Sequence, residues 1–170
     1  MFKTSHKIIL FLILFTLILS SWLRAEIINQ INIEGNERIS SETIKMFSGI
    51  SISDDLNEND INQILKKLYD TNFFDLVSVK ILDNTLLIKV KENPIIQNIT
   101  FEGIKSSKIL EELRKNVVLK SRSSFNEVLL DKDRKKIKDY LKKKGYLFSQ
   151  INISKQEIGD NKINLFYNIS

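Results

Sequence analysis

The sequence contains no cysteine, and its single histidine is His6. Without cysteine there are no disulfides and no thiol chemistry, so stability has to come from an apolar core. Without a histidine past position 6, the usual Ser-His relay and the common zinc sites have nothing to build on in the rest of the chain. Proline is almost absent too, with Pro94 the only one among 170 residues. What is present is a patterned leader followed by a repeat.

Lys3 and Lys7 precede an apolar run from Ile8 to Leu19, broken only by Thr16, and Ser20-Ser21-Trp22-Leu23-Arg24-Ala25 follows. This is the layout of a secretory signal peptide, with cleavage expected after Ala25. The competing reading is a retained anchor. A spanning helix needs about 20 apolar residues, and the strict run here is shorter. Either way the remainder is exported. Residues 1–25 carry Lys3, Lys7 and Arg24 and no acid, so removing them lowers the net charge from +5 to +2. The basic balance is partly a targeting feature, and it implies no nucleic-acid partner.

The exported part repeats itself. Ile27-Ile28-Asn29-Gln30-Ile31-Asn32-Ile33-Glu34-Gly35 aligns with Ile95-Ile96-Gln97-Asn98-Ile99-Thr100-Phe101-Glu102-Gly103, with five of nine positions identical. Leu68-Tyr69-Asp70-Thr71-Asn72-Phe73-Phe74 aligns with Leu141-Lys142-Lys143-Lys144-Gly145-Tyr146-Leu147. The offset grows between the two matches, which predicts about one extra turn in the second copy's long helix, keeping its apolar face in register. Pro94 stands at the start of the second copy and holds Asn93 extended, a rigid joint. The expected domains are 26–92 and 93–170, with Asn93 and Pro94 as the interdomain joint.

Each copy predicts the same elements. Alternating residues give a first strand, Ile28–Glu34 or Ile96–Glu102. A short helix follows, capped by Ser40 or Ser41 and by Ser106 or Ser107, with Gly49 ending the first one. The second helix is capped by Asn57 in one copy and Asn126 in the other. Its apolar stripe is Ile61, Ile64, Leu65, Leu68 and Tyr69, or Leu130, Ile137, Tyr140 and Leu141. Asn72 and Gly145 suit left-handed caps. A hairpin then closes each copy, turning at Asp83-Asn84 or at Gly159-Asp160-Asn161, with alternation that implies one buried and one polar sheet face. The fold class is α+β: β-α-α-β-β twice, each a three-stranded sheet with two helices on one face.

Two charged clusters have competing readings. Asp54, Asp55, Glu58 and Asp60 could be a carboxylate site or a loose calcium loop, but they lack the glycine and terminal glutamate of an EF-hand. Acids at a helix N-terminus also simply complement its dipole. Lys132 to Lys144 holds seven lysines and one arginine. It is either a solvated helix face or a contact for anionic headgroups or an acidic partner.

The element order, with Ile33-Glu34-Gly35-Asn36-Glu37-Arg38-Ile39 after the first strand and Leu68 to Val77 leading into the second, resembles the POTRA (polypeptide-transport-associated) domain. The resemblance covers about residues 26–170. Asn72 stands where the family usually has glycine. The resemblance implies mixed three-stranded sheets and a non-enzymatic periplasmic module of an outer-membrane β-barrel assembly machine, with no cofactor. Implied partners are unfolded outer-membrane protein clients, periplasmic chaperones and assembly lipoproteins; a membrane surface enters only as one reading of the basic run Lys132 to Lys144. In this family the second strand is generally the exposed edge, where an extended client can add as a further strand. That points to Leu76, Val77, Ser78, Val79, Lys80 and Ile81, and to Gln150, Ile151, Asn152, Ile153, Ser154 and Lys155. The alternative is that these are ordinary strands blunted by Lys80 and Lys155. Related expectations are a two-partner-secretion transporter and a signal-anchored envelope scaffold. Members of the assembly type continue into further domains and a barrel, so the chain to Ser170 would be the receiving end of a longer machine.

Overall fold

A computed structural model describes residues 26–170; the expected signal peptide, residues 1–25, lies outside the described residues. In chain order the strands are β1 Glu26–Ile27, β2 Gln30–Glu34, β3 Asp55–Leu56, β4 Phe74–Leu82, β5 Thr85–Glu92, β6 Ile95–Glu102, β7 Ile151–Glu157 and β8 Lys162–Ile169. The helices are α1 Ser41–Ser48, α2 Glu58–Asp70, α3 Ser107–Asn116 and α4 Glu127–Lys143. One sheet has the order β2-β5-β4 and another β6-β8-β7. In each, the first strand runs parallel to the last and the last antiparallel to the middle one, so both sheets are mixed.

Local chemistry accounts for these elements. Ser40 and Ser106 cap the short helices by accepting N–H bonds from Thr43 and Ile109. Asn57 and Asp60 form a capping box on α2, satisfying donors that the helix itself leaves open. Gly49, Asn72 and Gly145 all have left-handed backbones. Asp83 and Asn84 both have positive φ, the geometry that joins tightly paired strands without splaying them. Helix α2 has 13 residues and α4 has 17, the extra turn that the shifted repeat offset requires.

Each copy closes its own core. Ile28, Ile44, Ile64, Leu68, Leu86 and Ile88 centre the first; Ile96, Leu113, Ile137, Leu141, Leu165 and Tyr167 centre the second. Fully burying one such aliphatic side chain contributes about 2 kcal/mol. The outer face of the first sheet is less polar than the alternation implies: Leu76 and Leu82 lie exposed on it. Tyr69 also departs from the expected apolar stripe. It is 42% exposed and leans toward the sheet edge rather than into the core.

Candidate functional site

Both expected segments lie on the outermost strand of a sheet. Among the described residues, Leu76 to Ile81 belong to β4, which pairs only with β5, and Ile151 to Lys155 belong to β7, which pairs only with β8. Gln150 precedes β7 and exchanges both backbone bonds with Ser170, at 2.7 and 3.0 Å. In an antiparallel ladder, opposed residues alternate between bonded and non-bonded pairs. With the Gln150–Ser170 pair bonded, Asn152, Ser154 and Gln156 also turn toward β8. Ile151, Ile153, Lys155 and Glu157 therefore turn their N–H and C=O groups outward.

The β4 edge is partly occupied. The Val77 N–H donates to the Tyr69 hydroxyl at 3.0 Å, and that hydroxyl donates back to the Val77 carbonyl at 3.5 Å. Val77 is thus an outward-facing position, already capped by its own domain. The alternation leaves Val79 and Ile81 as the next outward positions. A bulge between Phe74 and Leu76 ends the regular ladder at the other side of Val77.

Neither lysine shields these edges in the same way. Lys80 is exposed on the outer face. Lys155 points to the helical side, where it pairs with Glu127 at the start of α4 and lies 4.9 Å from the Phe125 ring centre.

The opposite edge of each sheet is partly covered, a feature with no signal in the apolar periodicity. In the first copy β3 pairs with β1, and Ile28 bonds to Ser53 and Asp54. In the second, Ile96 bonds to Arg122 and Ser123, Ile95 bridges Ser124, and Phe125 donates to the Pro94 carbonyl. Ser53 and Arg122, both at positive φ, make the matching turns. In both copies the connection between the helices folds back onto the start of the first strand.

Only Asn93 and Pro94 separate β5 from β6. The Asn93 N–H donates to Phe73 and its side chain to the Asn72 carbonyl, at 2.8 and 3.0 Å. From the other side, Asn161 donates its side-chain amide to the Glu92 carbonyl and accepts from the Ile95 N–H. Glu92 itself is buried. One of its oxygens accepts from the backbone N–H groups of Glu37, Arg38 and Ile39, and the other from the Arg38 guanidinium. Burial by itself would raise this carboxyl's pKa. The three backbone donors and the Arg38 charge outweigh burial and hold it below its ordinary value.

The two charged clusters resolve differently. Asp60 serves the capping box and Asp54 accepts from the Ser51 N–H. Among the described residues no group of three or more His, Asp or Glu is placed to hold a metal. In the basic run, Asp133 is fully buried, on the α4 stripe between Leu130 and Ile137. It accepts from the Val118 and Leu119 N–H groups and from the Tyr167 hydroxyl. Its place one turn from each neighbouring apolar residue was the signal available in the sequence. Burial, then the Asp133 charge, push the Tyr167 hydroxyl's pKa well up. The lysines of the run stand exposed.

A family model described as POTRA, surface antigen variable number repeat, matches residues 26–93 and again residues 94–170. Outer membrane protein assembly factor BamA of Neisseria meningitidis serogroup B is 28% identical over 141 residues, 81% of this chain and 18% of that protein. BamA of Neorickettsia risticii is 30% identical over 89 residues, 52% of this chain and 12% of that protein. The chain thus spans less than a fifth of either relative. The solved structure of POTRA1-2 of the periplasmic domain of Omp85 from Anabaena superposes with a TM-score of 0.55 at 11% identity, covering 87% of this chain and 96% of that one. That likeness is one of fold. Two successive family matches, each on a mixed sheet with its own pair of helices, place this chain in the POTRA family.

Proposed function

We propose that the chain is the polypeptide-receiving, periplasmic part of an outer-membrane protein assembly factor, acting as a binding module and not as an enzyme. Unfolded outer-membrane proteins would pair with its open sheet edges as added strands. Periplasmic chaperones and assembly lipoproteins would be the neighbouring partners. Family membership and relatives named as assembly factors support the setting. The observation that carries the mechanism is β7. Among the described residues, no strand bonds to its outward residues Ile151, Ile153, Lys155 and Glu157 on that side. Main-chain pairing of this kind tolerates many client sequences, while alternate side chains add modest selectivity. The β4 edge, capped at Val77, would accept a shorter segment.

The experiment separates main chain from side chain at one position. Lys155→Pro removes an outward N–H without touching the β8 ladder, a place where an edge strand accepts proline. Lys155→Ala removes the side chain and keeps the donor. Binding of an unfolded barrel-strand peptide is measured by fluorescence anisotropy. The expected result is binding by Lys155→Ala and loss of binding by Lys155→Pro, with both variants folded by circular dichroism. Equal binding by the two variants would sink the strand-addition mechanism.

A further inference from the structure

The segment from Lys142 to Phe148 joins two features that none of the edge geometry uses. Tyr146, Leu147 and Phe148 are exposed by 47%, 61% and 93%. Lys142, Lys143 and Lys144 precede them with Gly145 between, all exposed, and none forms an ion pair among the described residues. The repeat shows that the fold does not demand this exposure at Tyr146 and Leu147, while Phe148 aligns with Asp75, which is exposed too. At the aligned positions of the first copy, Phe74 is buried and Phe73 packs 5.8 Å from the Phe47 ring centre. The left-handed residue before the pair is common to both copies, Asn72 in one and Gly145 in the other. The same backbone turn thus tucks its apolar residues inward in the first copy and presents them to solvent in the second.

We propose that this tip docks on an anionic lipid bilayer surface, with Leu147 and Phe148 entering the headgroup boundary and Lys142 to Lys144 meeting the lipid charge. Apolar side chains beside a lysine cluster are the composition that binds such an interface: burial of the first and attraction of the second add together. An aromatic as exposed as Phe148 has almost no protein wall around it. A headgroup layer that deforms around the ring fits it better than a rigid partner surface would. Tyr146, with an apolar ring and a polar tip, suits the boundary between the two regions. The proposal is independent of strand addition at β7.

The absence of cysteine permits a local probe. Phe148→Cys in the full chain, labelled with an environment-sensitive dye, reports only on the tip, whatever the N-terminal leader does. Met46→Cys, exposed on α1, is the reference position. Vesicles of phosphatidylcholine with 30% phosphatidylglycerol as the probe composition (a conventional mixture, about one anionic lipid in three) are compared with phosphatidylcholine alone. The expected result is a blue shift and brightening at position 148 on anionic vesicles only, with none at position 46. K142A/K143A/K144A in the labelled chain weakens vesicle binding about 100-fold, at about fivefold per lysine. An unchanged dye at 148, an equal response to neutral vesicles, or a response undiminished in the triple variant overturns the proposal. So does a dye that responds to polyglutamate and not to vesicles, which would assign the tip to an acidic polypeptide.

Discussion

The Glu92 carboxylate lies 3.1 Å from the Arg38 guanidinium, and only the arginine is appreciably exposed to solvent. The same carboxylate ties down the backbone of residues 37–39, so one buried side chain fastens the loop after β2 to the end of β5.

Replacing Glu92 by Gln removes the charge that three backbone donors and Arg38 converge on. The expected cost is about 2–3 kcal/mol of unfolding free energy at neutral pH. Because the folded carboxyl is held below its ordinary value of 4.5, its contribution is complete above that pH and is lost as pH falls through the depressed folded value. Urea unfolding of both proteins at neutral pH and at successive pH values below 4.5 checks this. The difference between them should shrink on acidification; a constant difference would mean the carboxylate charge plays no part.

Tyr167 sets the opposite limit. Its pKa is raised by burial and by Asp133, so the folded chain keeps a proton that the unfolded chain releases above its ordinary value of 10.0. Stability should therefore decline as pH rises beyond that point, and less steeply in Tyr167→Phe. At neutral pH the same substitution leaves Asp133 short of one donor and costs about 1–2 kcal/mol. A double-mutant cycle with Asp133→Asn should show coupling between the two positions, since both act on one bond.

Tyr69→Phe should open the β4 edge by one position with little loss of stability, about 1 kcal/mol or less. The readout is amide hydrogen exchange. The Val77 N–H, bonded only to the Tyr69 hydroxyl, should exchange about fivefold faster, while Ser78, facing β5, should not change. Unchanged exchange at Val77 would show that the hydroxyl does not guard the edge.

Glycine substitutions should sort by what surrounds them. A Cβ on Gly103 would sit 1.7 Å from the Ile169 carbonyl oxygen, and one on Gly35 2.1 Å from that of Val90. Each alanine variant combines a left-handed backbone with a backbone clash and should lose about 3 kcal/mol or more. Gly145→Ala, equally left-handed but with open space around it, should lose only about 1 kcal/mol. Thermal unfolding of the three variants distinguishes these outcomes.

Much of this architecture is legible in the residues. The helix caps at Asn57 and Asn126, the left-handed Asn72 and Gly145, and the hairpin at Asp83-Asn84 are local chemistry, decided within a few positions of chain. The buried roles of Glu92 and Asp133 are harder to read because even their nearest backbone donors, Ile39 and Leu119, lie 53 and 14 residues away. Tyr69 matched helical spacing and was expected in the core. Its long polar-tipped side chain instead found two backbone groups at a strand edge, a preference periodicity does not encode. The pairing of residues 53–55 and 122–125 with the first strands was likewise hidden, since those segments are too short and too polar to alternate.

The two-residue connection between β5 and β6 bears on how the copies can move. Two residues reach at most about 7 Å, and proline contributes no free φ. Asn93 is further held by its own N–H and side-chain bonds to Phe73 and Asn72. Very few soft torsions remain between β5 and β6. Reorienting one copy against the other would therefore break named bonds, such as Asn161 to Glu92 or Asn93 to Phe73, rather than draw on slack in the chain. The tandem then behaves less like beads on a string than like a hinge with a latch, whose stiffness can be tuned by single amide side chains.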